Sequence, residues 1–112
     1  MLEWQDEQEG ITVVRLTEES LTASNAASFR ARLSELAEGG RTRLILDLAN
    51  VRYVDSSGLG ALVSLLKRIG VKGELALCAV APAVMSVLTL TRMDKVFSIY
   101  ADRGAAVEGL SE

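Results

Sequence analysis

"LILDLANVRYVDSSGLGALVSLLKRI", residues 44–69, decides how this chain folds. Its opening, with Arg43 in front, is the run "RLILDL". Such a short and nearly continuous apolar segment is expected of a strand covered on both faces. Further on, Leu59, Leu62, Val63, Leu66 and Ile69 recur at helical spacing and predict a helix with that stripe turned inward. Between the two lies "VDSSGLG", residues 54–60, at a strand-to-helix corner. Asp55, Ser56 and Ser57 are each good N-cap types, and two glycines follow inside the first turns. Gly58 and Gly60 cost up to ~1 kcal/mol each against alanine in a helix, so something must favour bare backbone there. A closely approaching partner is one such reason.

The same alternation continues on either side. Leu2 to Gln5 and "ITVVRL" (Ile11 to Leu16) read as two strands, and Gly10 between them implies a tight antiparallel connection. "SNAASFRARLSELAEGG" predicts a helix, capped by Ser24 or Asn25, with Phe29, Leu33 and Leu36 inward and Gly39 and Gly40 at its end. Gly70 and Gly73 bracket the exit of the central helix. "ELALCAV", Glu74 to Val80, is a third buried strand. Pro82 suits the first turn of the next helix, where Val84, Val87 and Leu88 form the buried side. "VFSIY" is expected as an edge strand and "DRGAAVEGL" as a terminal helix capped by Asp102 or just beyond. The order implies an α/β domain spanning residues 1–112, with a mixed, mainly parallel sheet and about four flanking helices.

Composition narrows the function. The chain has 112 residues, 49% hydrophobic and 24% charged, with a net charge of −3. An acidic balance with 4% aromatics disfavours nucleic acid, which needs a basic face and stacking platforms. There is no histidine, which removes Ser-His-Asp and Cys-His catalysis and most zinc sites, so no enzyme, metal or cofactor is expected. Cys78 is a lone thiol inside an apolar run and reads as a core residue. No signal peptide and no run of about 18 apolar residues is present, which places the expected protein in the cytoplasm without membrane insertion. Trp4 is expected to cover a sheet edge, and Glu7, Glu9, Glu18 and Glu19 to solvate loops.

Catalytic and nucleotide motifs fail at the corner. "GLGALV" has two glycines of a dinucleotide fingerprint, but Val63 takes the third place. "DSSGL" lacks the leading glycine of a hydrolase elbow and any base to serve it. "SLLK", Ser64 to Lys67, matches S-x-x-K without its companion motifs and reads as a solvated helix side. A chemical alternative remains. A serine at an exposed helix start lies beside unpaired amides and a positive dipole end, so a phosphate on Ser56 can be held locally. It would add roughly −1.5 to −2 charges and repel a partner fitted to the hydroxyl.

The segment 44–69, with "LCAVAPAVMSVLTLTRMDKVFSIY" after it, resembles STAS-domain proteins of the anti-sigma factor antagonist type. The likeness covers nearly the whole chain, and "DSSGLG" is its most specific part. The resemblance implies a partner-switching regulator. In that scheme the unmodified antagonist captures an anti-sigma factor that is also a serine kinase. Phosphorylation of the first motif serine releases it, and a serine phosphatase resets the system. By position Ser56 is the acceptor, with Asp55, Ser57, Gly58 and Gly60 as its setting, and ATP and magnesium belong to the kinase. The partner face is expected to include Asp55 to Gly60 with Leu59, the loop carrying Thr22 and Ser24, and exposed positions early in the second helix. Ser57 stays open as an alternative acceptor, and Leu59 as either core or contact residue.

Two positions depart from the family pattern. The loop before the first helix commonly reads G-x-L-D-x-x-T-A. Here it reads "EESLTASNA", with Thr22 near the aspartate position and Ser24 beyond it. Arg92 stands where a turn glycine is usual and would be strained if that turn needs a positive φ. The altered loop motivates a second reading: a non-switching STAS interaction module of a signalling scaffold or lipid-transport complex.

Overall fold

A computed structural model describes residues 1–111. Strand β1 (Leu2–Asp6) pairs antiparallel with β2 (Ile11–Leu16), and Glu9 and Gly10 turn between them with positive φ of 58° and 73°. After the two-residue strand β3 (Ser20–Leu21) come helix α1 (Ala26–Glu38) and β4 (Arg43–Asp47). A second two-residue strand, β5 (Tyr53–Val54), leads into α2 (Ser56–Ile69) and then β6 (Glu74–Cys78). Helix α3 (Pro82–Leu90), strand β7 (Ser98–Tyr100) and helix α4 (Arg103–Ser111) complete the chain. The main sheet runs β1-β2-β4-β6-β7, parallel except for β1. No helix of the described residues is long and apolar enough to cross a membrane.

Strand periodicity sorts the core into two layers. Val14, Leu16, Leu44, Leu46, Leu75 and Leu77 point to the face covered by α1, α2 and α3, where Phe29, Leu33, Leu62, Leu65 and Leu88 meet them. Ile11, Val13, Ile45, Ala76 and Cys78 point to the opposite face, closed by Ala106 and Leu110 of α4. Polar contacts hold α4 in place. Arg103 donates to Asp47 at 3.1 Å, Arg43 donates to the Leu110 carbonyl, and Asp102 caps the helix through Ala105 N–H at 2.8 Å. On the edge strand β1, Trp4 lies under the Arg41 guanidinium, 4.1 Å from the ring centroid, and Arg41 is held by two hydrogen bonds to Asp6.

Several expectations need correction. Neither Ser24 nor Asn25 caps α1 with its side chain. Asn25 stands in the cap position, but its Oδ1 accepts from Thr22 N–H and its Nδ2 donates to the Ser20 carbonyl, both at 2.9 Å. Its amide therefore closes the preceding loop. The buried line of α2 is Gly58, Ala61, Leu62, Leu65 and Ile69, rotated from the expected stripe; Leu59, Val63 and Leu66 are only partly buried flanks. Val87 is likewise half-buried beside Val84 and Leu88. Arg92 does adopt the left-handed region, with φ 63°, the strain that glycine would avoid.

Candidate functional site

The corner at Asp55 is built outside the main sheet. β3 and β5 form a separate parallel ladder, pairing Ser20 with Tyr53 and Leu21 with Val54. It continues at both ends: Arg52 N–H donates to the Glu19 carbonyl at 2.7 Å, and Asp55 N–H to the Leu21 carbonyl at 3.2 Å. The chain then turns into α2 with Asp55 as the N-cap, and its Oδ1 accepts from Gly58 N–H at 2.9 Å. The other oxygen, Oδ2, accepts from Ala23 N–H at 3.1 Å, across 32 positions of sequence. The Gly58 amide, and behind it those of Ala23 and Ser57, hold the Asp55 carboxyl below its ordinary value, while desolvation works the other way.

Gly58 is buried, contrary to its expected place on a partner face. A Cβ there would lie 2.1 Å from the Leu21 carbonyl oxygen and 3.0 Å from Val54 Cγ1. The close approach that requires glycine is made by the protein's own β3. Gly60 differs: a Cβ would meet nothing within 4 Å, and the residue is exposed. Of the amides at the helix start, that of Gly58 is taken by Asp55.

Ser56 and Ser57 are both exposed in the first turn of α2. Ser56 opens onto a groove of about 530 Å³, also lined by Leu59, Gly60, Val63, Lys67 and Met93. The groove runs along α2 from the corner toward Lys67, with the segment after α3 as its other wall. Leu59 packs against the core on one side and lines the groove on the other. Ser64 lines the groove too, so it is less solvated than expected.

The loop before α1 reaches the same corner. Thr22 Oγ1 and Ser24 Oγ lie 2.9 Å apart, on either side of the Ala23 amide that Asp55 holds. Thr22 and Ser24 are thereby brought beside the Asp55–Gly60 turn. Tyr53, 58% exposed, stands on β5 immediately before the corner.

The domain model described as "STAS domain" matches residues 5–106. The chain belongs to the STAS domain family. A relative in Paenibacillus polymyxa, named an anti-sigma F factor antagonist, is 33% identical over 93 residues, covering 81% of this chain and 79% of that protein. The solved structure of an anti-sigma-factor antagonist (STAS) domain protein from Planctomyces limnophilus superposes with a TM-score of 0.89 at 25% identity, covering 99% and 98% of the two chains. The Bacillus cell fate determinant SpoIIAA, solved in its phosphorylated form, shares the fold at 20% identity, with a TM-score of 0.72 and coverage of 98% and 99%. This STAS domain therefore stands among anti-sigma factor antagonists in sequence and in architecture.

Some parts of the site carried no readable signal. The Ala23 amide and the Leu21 carbonyl act through backbone, which no side-chain pattern reveals. Met93 joins Lys67 in the groove only because the turn after α3 comes to face α2. A cue did exist in "SLLK": Lys67 lies three residues beyond Ser64, on a neighbouring part of the same helix surface.

Proposed function

We propose that this STAS domain is a partner-switching anti-sigma factor antagonist. Unmodified, it binds an anti-sigma factor that is also a serine kinase; phosphorylation at Ser56 releases it, and a serine phosphatase restores it. The observation that carries this reading is the exposed Ser56 hydroxyl in the first turn of a rigidly capped helix, at the mouth of a largely apolar groove. A partner fitted to that surface meets a neutral hydroxyl beside Leu59 and Val63. A phosphate there adds roughly −1.5 to −2 charges next to the Asp55 carboxylate. The helix dipole tolerates the modification, whereas a partner fitted to the neutral hydroxyl is repelled by it. The domain acts by binding, and the phosphoryl chemistry with its ATP and magnesium belongs to the kinase.

The test is incubation with a purified anti-sigma factor kinase, ATP and magnesium, followed by intact-mass measurement. One phosphate is expected on the wild type and on Ser57→Ala, and none on Ser56→Ala. Equal modification of Ser56→Ala overturns the assignment. Stable capture of a partner with no ATP-dependent release would instead support the non-switching interaction module suggested by Thr22 and its bond to Ser24.

A further inference from the structure

We infer that Asp55 is a positioning residue that fuses the Thr22–Asn25 loop and the Ser56 corner into one recognition unit, each carboxylate oxygen holding a backbone N–H from one side. The last step of this inference, recognition by the kinase, rests on the partner-switching reading; the fusion itself does not.

An N-cap needs one acceptor, and serine, threonine or asparagine supplies it as well as aspartate does. At Asp55 the cap uses only Oδ1, on Gly58 N–H at 2.9 Å. The second oxygen goes to Ala23, in a loop that strand pairing leaves at Leu21. Only a carboxylate can accept on both arms, because the second atom of an asparagine amide is a donor. The surrounding contacts tighten the same junction. Leu21 receives the Asp55 N–H and is pressed by Gly58, while Asn25 closes the far side of the loop on Ser20 and Thr22. With Asp55 in place, the hydroxyls of Thr22 and Ser24 stand in fixed register with Ser56. A kinase that binds this face then reads two chain segments as a single surface, with no ordering entropy left to lose in the loop.

Asp55→Asn separates the two arms. Its amide oxygen preserves the helix cap, and its NH₂ cannot accept from Ala23. In the free protein, the ¹⁵N signal of Ala23 is expected to shift and its amide exchange to quicken several-fold, while Gly58 stays protected and the melting temperature falls less than in Asp55→Ala. Asp55→Ala releases both amides. In phosphorylation by the anti-sigma factor kinase, Asp55→Asn is expected to raise KM for the antagonist several-fold with kcat held. An unchanged Ala23 amide in Asp55→Asn overturns the fusion. A fall in kcat at constant KM overturns the recognition role. If wild-type protein takes no phosphate on Ser56, the partner-switching reading falls, and the Ala23 amide still decides whether the two segments are fused.

Discussion

Gly58 and Gly60 lie two residues apart in one helix, and alanine at the two positions should change stability in opposite directions. At Gly58 the added Cβ would sit 2.1 Å from the Leu21 carbonyl oxygen and 2.8 Å from its carbon, which are backbone atoms with no rotamer to yield. Restoring ordinary contact near 3.4 Å requires α2 and β3 to separate by roughly 1.3 Å. The same carbonyl accepts the Asp55 N–H at 3.2 Å, so that bond is lost with the movement. Overpacking costs about 1–3 kcal/mol, and a broken backbone hydrogen bond about 0.5–1.5 kcal/mol. Alanine returns up to ~1 kcal/mol of helix propensity. The balance for Gly58→Ala is a destabilisation of roughly 1–3 kcal/mol, or about 4–12 °C in melting temperature for a chain of this length. Gly60→Ala meets nothing within 4 Å and keeps only the propensity gain, raising the melting temperature by about 2–4 °C. Thermal melts followed by circular dichroism or calorimetry read both. A Gly58→Ala protein as stable as wild type, or a Gly60→Ala loss of equal size, refutes the assignment of the glycine to the Leu21 contact.

Two further outcomes follow from the ionisable groups. Burial, with the Asp47 carboxylate behind it, pushes the Cys78 thiol up to about 11, so native protein at pH 8 should resist iodoacetamide and label only when unfolded; full labelling in the native state contradicts this burial. Asp55 and Asp6 are both held below the ordinary carboxylate value, Asp55 chiefly by the Gly58 amide and Asp6 chiefly by its hydrogen bond from Arg41. Their stabilisation is complete above the unfolded value of about 3.9 and disappears as pH falls through the depressed folded values. Carboxyl titration by NMR should place both midpoints below that of an unfolded aspartate, and a midpoint at or above it counts against the hydrogen bonds described.

Much of the architecture was legible because burial on both faces leaves a plain mark. "RLILDL" and "ELALCAV" could be little other than covered strands, and Pro82 and Asp102 start their helices where their chemistry favours. What failed did so for physical reasons. The arc of α2 is apolar over more than one stripe, so periodicity alone admitted a rotation. Small residues settled it, because Gly58 and Ala61 let the helix approach closely and turned Leu59 and Val63 toward the groove. Strands β3 and β5 are two residues each, too short for any alternation to register. Before α1, Ser24 and Asn25 offered equal capping chemistry, and the choice was made by the Asn25 side chain, which donates to the Ser20 carbonyl and accepts from the Thr22 N–H. At the corner, the sequence made Asp55 a cap; it could not show that the second oxygen reaches Ala23.

The β3–β5 ladder shares no strand pairing with the five-stranded sheet. Under the proposed function, that separation divides the molecule into a chassis and an address. Glu18, Glu19, Arg52 and Tyr53 are all exposed on the ladder or beside it, and the Glu19–Arg52 ion pair lies at the surface. Residues there are free to change without disturbing the register of Val14, Leu46 or Leu77 in the core. Where several domains of this fold operate side by side, each has to avoid the contacts made by the others. A peripheral ladder lets such insulation accumulate by surface substitution alone, so duplicated copies can acquire separate wiring while the fold beneath them stays the same.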